Sequence, residues 1–309
     1  MHLPAKDTGS ARQALGLIVP GQLFLVVGAA TQAAIAPQLT GFPYGPSILA
    51  LTHLLALGWA TVTCLGALCQ LLPVLLGEPL RWPGLVRRGA WPLVAGCALF
   101  SWAFAANSPG GLALGAALLT LGLAGPLASY GATLAAAKRW DVTTVGVAGA
   151  LCALGLQLTA GVLLVANRRL NFWPGLGLPG AAGHAALGLL GWLGLLTITL
   201  SYRLLPMFTL AHGYVCRFRW PAALGVAGAG IGAWLALWLH APAPVLGGCA
   251  LATGAAALLW LADVRAILRR RARRLEPAII LFVASGGGLA LLGGLALAGA
   301  AGWLSLSDA

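Results

Sequence analysis

Apolar residues fill this chain in long runs, separated by short breaks that carry proline, glycine, asparagine or charge. A helix needs about 20 apolar residues to cross the hydrocarbon core of a bilayer, and residues of the break type end helices. The pattern therefore predicts an all-α fold, a polytopic bundle of nine transmembrane helices. The predicted spans are residues 14–36, 47–76, 90–107, 111–137, 142–166, 181–211, 220–240, 243–264 and 277–303.

Composition excludes the main soluble classes. Of the 309 residues, 60% are hydrophobic and only 8% are charged, with a mean hydropathy of +0.92. So few charges cannot cover the surface of a water-soluble globule of this size, which excludes a soluble enzyme and a disordered chain. The net charge of +12 does not indicate a nucleic-acid partner, because the basic residues lie in short clusters between apolar runs. Membrane lipid is the partner that this pattern predicts.

The distribution of basic residues predicts the orientation. With the N-terminus inside, 16 of the 18 basic residues fall on the inner side, and only Arg168 and Arg169 lie outside. The positive-inside rule then favours a bacterial-type inner membrane, with a cytoplasmic N-terminus and the C-terminus outside. The basic run Arg265–Arg274 is interpreted as a topology anchor that faces anionic lipid, with docking of a soluble partner as the alternative.

Two segments of the chain resemble each other. Leu57–Trp59 and Leu190–Trp192 both read LGW, and each is followed by LLP, ending at Pro73 or Pro206, with a constant offset of 133 residues. These segments fall in the second and sixth spans, four helices apart. This spacing predicts two parallel four-helix modules, at residues 1–141 and 142–275, followed by a C-terminal transmembrane helix in residues 276–309.

Histidines mark the outer ends of both repeated spans. His53 precedes Trp59 by six residues and His184 precedes Trp192 by eight, so the two imidazoles are expected at similar depth. Paired imidazoles on facing helices are what axial ligation of a haem requires. The alternative is that each is a lone polar residue bonded to a neighbouring helix. His240 is a possible third ligand or an interfacial residue, and the role of His212, expected at the inner face, stays open.

The residues around these histidines resemble a known family. THLLALGW at residues 52–59, closing with QLLP at 70–73, resembles the second helix of the catalytic subunit of haem-copper oxidases and nitric-oxide reductases. GHAALGLLGW at residues 183–192, ending with YRLLPM at 202–207, is similar to the His-x-His helix of that family. The resemblance implies a haem b with His53 and His184 as axial ligands. Arg168 and Arg169, on the same outer side, are candidate partners for the haem propionates, with an ordinary interfacial loop as the alternative.

The departures from the family limit what the resemblance implies. Ala186 stands where the family has the second histidine of the His-x-His pair, and the sequence contains no His-His pair or further set of in-span histidines for a copper centre. We therefore expect an electron-transfer protein, an oxidoreductase subunit with respiratory or cytochrome partners, that does not reduce oxygen alone. The alternative is a membrane carrier or assembly factor for haem, copper or a small solute, without redox turnover. A structural subunit without a cofactor is the third possibility.

Overall fold

The structure is a computed structural model that describes residues 8–286 and residue 288. All regular structure within these residues is helical, with one short 3₁₀ turn at Ala36–Gln38. The helices are α1 (Thr8–Ala34), α2 (Pro46–Leu76), α3 (Pro83–Ala105), α4 (Pro109–Ala135), α5 (Val142–Leu170), α6 (Gly177–Thr209), α7 (Arg219–Trp238), α8 (Ala243–Arg269) and α9 (Pro277–Gly286). The prediction of an all-α fold is thus confirmed for the described part of the chain.

Seven of these helices are long and apolar enough to cross a membrane, namely α1, α2 and α4 to α8, the first of them over Ala11–Ala34. By helix length and composition the chain is a multi-pass membrane protein. The helix α3 has 23 residues but is not one of the seven, and Arg87 and Arg88 in its second turn lower its hydropathy. The predicted ninth span, 277–303, lies mostly outside the described residues, so the count of nine stays a prediction.

Local signals explain where the helices begin. Pro46, Pro83 and Pro109 stand in the first turn of α2, α3 and α4, where the missing amide hydrogen costs nothing and the fixed φ suits the helix. Because of Pro83, α3 begins seven residues before the predicted span at residue 90 and includes Arg87 and Arg88. Similarly, α5 extends to Leu170, so Arg168 and Arg169 lie in its last turn and not in a loop.

The chain divides into two compact units. The first unit contains Met1–Arg139 and Leu158–Trp173, and the second contains Trp140–Gln157 and Pro174–Ala309. The long helix α5 therefore contributes its first half to the second unit and its second half to the first.

Small residues allow close helix contacts in the first unit. α1 packs on α2, and α3 packs on α4 along much of its length. A Cβ on Gly122 of α4 would lie 2.5 Å from the Cα of Leu93 in α3, so only glycine fits at this crossing. Between helices, Lys138 forms an ion pair of 2.8 Å with Glu78 in the loop after α2, which lowers the pKa of the Glu78 carboxyl.

In the second unit, α7 packs against both α6 and α8. The start of α5 packs on the later part of α6, where the Thr143 hydroxyl donates to the carbonyl of Thr199 at 3.1 Å. Gly146 lies against the Thr199 side chain at the same crossing, and Gly188 of α6 lies against the Gln157 side chain of α5. Glycine thus again permits the close approach of neighbouring helices.

The two repeated segments have the same local structure. Each contains an eight-residue stretch of π-helix, Leu54–Thr61 in α2 and Leu187–Gly194 in α6, followed by fifteen residues of α-helix. Each α-helical stretch ends one turn after the LLP proline, at a residue with positive φ, which is Gly77 or Leu210. All these boundaries are offset by 133 residues, as are the sequence identities.

A polar contact between helices also recurs at this offset. In the first unit, the Cys69 thiol and the Tyr130 hydroxyl are 3.1 Å apart, joining α2 to α4. In the second unit, the Tyr202 hydroxyl donates to the Asp263 carboxylate at 3.3 Å, joining α6 to α8. The residue pairs are separated by 61 positions in both cases. The similarity therefore extends beyond α2 and α6 to the helices that pack on them.

Candidate ligand site around His53

His53 ends the second turn of α2, directly before the π-helical stretch. Its Nδ1 lies 2.7 Å from the carbonyl oxygen of Leu49, one helical turn earlier. A carbonyl can only accept a hydrogen bond, so Nδ1 carries the proton and donates it. The neutral ring then has its lone pair on Nε2. This tautomer is the one in which a histidine binds a metal through Nε2 while a backbone carbonyl orients the ring.

Two phenylalanines of α3 hold the imidazole ring in place. Phe104 stacks on it, with ring centroids 4.8 Å apart and planes inclined by 21°. Phe100, one turn earlier in α3, meets it edge-on at 5.1 Å and also contacts Phe104 edge-on at 5.1 Å. Aromatic contacts of this kind contribute about 0.5–1.5 kcal/mol each beyond area burial. The ring is therefore fixed by a hydrogen bond and by two aromatic contacts on a neighbouring helix.

Arg168 lies at the same end of the first unit as His53. Its Nη2 donates to the Oδ1 of Asn107 at 2.8 Å. Asn107 follows the end of α3, three residues after the Phe104 that stacks on His53, and has a positive φ of 48°. The contact places an exposed guanidinium group near the C-terminal end of α3, the end that carries Phe104. Arg169, the other predicted propionate partner, is exposed in the same last turn of α5.

His184 lies in the second unit, in the second turn of α6 and three residues before the π-helical stretch. At the offset of 133 residues, His53 corresponds to Ala186 and not to His184. The π-helical stretches follow the same offset, so His184 lies two residues further from its stretch than His53 does from its own. The neighbouring Gly183 lies against Trp238 and Trp234 of α7, whose rings are 5.6 Å apart. The Trp238 indole donates to the carbonyl of Gly180 at 3.1 Å. Aromatic residues at the end of one helix thus line the start of another in both units.

The two other histidines in the described part of the chain each follow the end of a helix. His240 follows α7, has a positive φ of 53°, and its Nε2 lies 3.4 Å from the carbonyl oxygen of Gly175. His212 follows α6, and its Nδ1 bonds to the carbonyl of Leu210 at 3.0 Å, within its own turn. Both side chains are exposed. Their contacts are those of loop residues that close a helix end.

Side chains alone do not form a metal centre in the part of the chain that the structure describes. No three or more His, Cys, Asp or Glu residues in that part come together as a possible metal site. A haem needs only one or two axial ligands from the protein, since the porphyrin supplies the other four. The described residues supply one such oriented imidazole, His53, with a cation, Arg168, near the C-terminal end of the helix whose Phe104 stacks on it.

Several residues that make specific contacts in the structure were not predicted from the sequence. Phe100 and Phe104 are spaced i, i+4, so they share a helix face, but nothing in the sequence indicates that this face meets His53. Asn107 has no sequence signal for its bond to Arg168. Asp263, the one acidic residue inside an apolar run, did carry a signal, since intramembrane carboxylates are expensive and have a specific partner.

Comparison of the chain with protein-family models, with curated proteins and with solved structures finds no match.

Proposed function

We propose that this chain is an integral membrane haem b protein that transfers electrons, with the Nε2 of His53 as an axial ligand. The observation that carries the proposal is the geometry of the imidazole, whose Nδ1 donates to Leu49 while Phe100 and Phe104 hold the ring. A ligand must present its lone pair in a fixed direction, and an outer hydrogen bond to the other nitrogen both orients the ring and raises its basicity. When bound, haem b supplies a one-electron carrier.

The second axial ligand is assigned to His184 from the repeat. His184 opens the second copy of the segment that His53 opens in the first, and each histidine precedes a π-helical stretch. Such stretches are rare and occur frequently at functional sites. His240, which follows α7 at the predicted outer face, is a candidate third metal ligand, with an interfacial residue as the alternative. Arg168 and Arg169 are assigned to the haem propionates, whose negative charge requires cationic partners.

The scaffold of this proposal is a duplicated four-helix module, at residues 1–141 and 142–275, with a ninth span after it. The shared π-helical stretches support the duplication, as do the two polar contacts at the same offset. This organisation and the quoted histidine segments support kinship with the haem-copper oxidase superfamily. With no copper-ligating histidine set in the sequence, the chain hands electrons to a partner, a respiratory or cytochrome subunit, and does not reduce oxygen itself.

The proposed orientation places the N-terminus in the cytoplasm and the haem towards the outer face of a bacterial-type inner membrane. The basic residues support it, since nearly all of them fall in segments on one predicted side.

The test is the haem content of purified variants. The His53→Ala and His184→Ala substitutions should each lower the haem-to-protein ratio of the detergent-purified chain by about tenfold or more, because each removes an axial bond. His212→Ala is the matched control, since this exposed imidazole bonds only within its own turn, and it should leave the ratio unchanged. Equal haem content in wild type and in His53→Ala would reject the ligand assignment and leave the carrier function as the leading account.

A further inference from the structure

A groove with an apolar floor and a cationic rim lies in the second unit, between the last turns of α8 and the helix α9. Its volume is about 460 Å³. Leu261, Val264 and Leu268 of α8 supply the floor together with Val283 of α9, and arginines line the rim. The rim residues are Arg265, Arg269 and Arg271.

A second basic recess of about 370 Å³ adjoins this groove. The two share Arg269 and Arg271, and the second is completed by Arg273 and Arg274. Two neighbouring recesses with shared guanidinium groups provide donors for more than one anionic group. Guanidinium binds phosphate with two parallel hydrogen bonds, which a lysine ammonium cannot do.

The positive charge of this rim is largely uncompensated. Six arginines lie between residues 265 and 274, and all six are exposed. Of these six arginines, only Arg273 pairs with a carboxylate of the described residues, at 2.8 Å from Glu276. The nearby Asp263 is buried and accepts from Tyr202 and from the amides of Arg217 and Phe218, so it does not neutralise the rim. The helix macrodipole stabilises cations in the last turn of a helix. It therefore explains Arg269 but not the other five arginines.

The length of α8 places this rim at the level of lipid headgroups. The helix has 27 residues, or about 40 Å, against about 30 Å for the hydrocarbon core. Its last turn, which contains Leu268 and Arg269, therefore reaches the headgroup region, whereas Leu261 and Val264 lie one to two turns deeper. Ile280 and Leu281 of α9, which are 53% and 70% exposed, continue the apolar surface beside the groove. The groove thus spans the boundary at which the phosphate and the acyl chains of a phospholipid meet.

From this arrangement we infer that the groove between α8 and α9 is a binding site for an anionic phospholipid. The phosphate contacts Arg269 and Arg271, and an acyl chain lies along Leu261, Val264 and Val283. Charge complementarity selects the anionic class, because the cationic headgroup of a zwitterionic lipid would face a rim of arginines. The adjoining recesses favour a headgroup with two phosphates. The inference does not depend on the haem proposal, since none of these residues takes part in it.

Native mass spectrometry of the full chain tests the site. The delipidated protein in detergent is titrated with cardiolipin, phosphatidylglycerol or phosphatidylcholine at equal concentrations, and the fraction of lipid-bound protein is measured. We expect cardiolipin to bind most tightly and both anionic lipids to bind at least about fivefold more tightly than phosphatidylcholine. Equal retention of phosphatidylcholine would overturn the inference.

Matched variants separate a built site from general electrostatic attraction. The double substitution Arg269→Gln with Arg271→Gln should weaken retention of anionic lipid by about tenfold. Arg87→Gln with Arg88→Gln removes the same charge from α3 and should leave retention within about twofold. Val283→Trp fills the groove without changing its charge and should also weaken retention. Equal loss in the two arginine pairs, or full retention in a folded Val283→Trp protein, would overturn the inference.

Discussion

At the scale of residues, the two repeated segments differ in the position of their histidine. His53 aligns with Ala186 at the offset of 133, while His184 aligns with Leu51. The surroundings differ in kind as well, since Phe100 and Phe104 hold the His53 ring and two tryptophans line the start of α6. The duplicated framework therefore carries two distinct histidine environments, and the one around His53 is defined by direct contacts to the ring.

Phe104 should matter for haem retention through this contact. Replacing it by leucine keeps an apolar side chain but removes the ring that stacks on His53 at 4.8 Å. Without this contact the imidazole is no longer held in one orientation, and ordering it on haem binding costs up to about 0.5–1.5 kcal/mol, so haem affinity should fall by up to about tenfold. Haem titration followed at the Soret band measures it. Trp102→Leu, at a 57% exposed site two residues earlier, is the control and should titrate like wild type.

The buried carboxylate of Asp263 holds a loop against a helix. It accepts from the amides of Arg217 and Phe218 at 2.9 and 3.0 Å, just before α7 begins, and from the Tyr202 hydroxyl. Asp263→Ala leaves two amide donors without this acceptor, and each such loss costs about 1–3 kcal/mol. We expect a clear fall in the thermal midpoint of the detergent-solubilised protein. Asp141→Ala, which removes an exposed helix cap, should cost only about 1 kcal/mol. An Asp263→Ala midpoint no lower than that of Asp141→Ala would contradict the role.

At the scale of helices, the constant register of the repeat connects sequence to structure. The LGW and LLP identities predict that α2 and α6 correspond, and the structure adds matching π-helical stretches and matching ends at Gly77 and Leu210. No sequence pattern used for helix prediction distinguishes a π-helical turn from an α-helical one, because both bury an apolar stripe. The correspondence of helices could thus be predicted, but not the widened turns beside the histidines.

The α3–α4 crossing should depend on glycine at one position. A methyl group on Gly122 would overlap the backbone of Leu93, so one of the two helices would have to shift. Gly122→Ala is therefore expected to lower stability by about 1–3 kcal/mol, as overpacking does elsewhere. Thermal unfolding in detergent measures the change. Gly131→Ala, in the same helix with open space around it, provides the control. A Gly122→Ala protein as stable as Gly131→Ala would contradict the requirement for glycine at this crossing.

At the scale of the whole chain, composition and apolar run length were sufficient for the fold class. Seven predicted spans coincide with long apolar helices, because a bilayer requires about 20 apolar residues in a row whatever the tertiary packing. Boundaries were less predictable, as the early start of α3 at Pro83 shows. The partners of His53 could not be predicted, because a single sequence does not reveal which helix faces meet. The hydrogen bond between Arg168 and Asn107 could not be predicted for the same reason.

The visible spectrum of the purified wild-type protein tests the central claim most directly. It is recorded in mild detergent, first oxidised and then reduced with dithionite, with haem offered if none is retained. A haem with His53 and a second histidine as axial ligands predicts a shifted Soret band and a sharp α-band on reduction, as six-coordinate haem gives. A featureless spectrum from folded protein, still blank after haem is offered, would contradict the account.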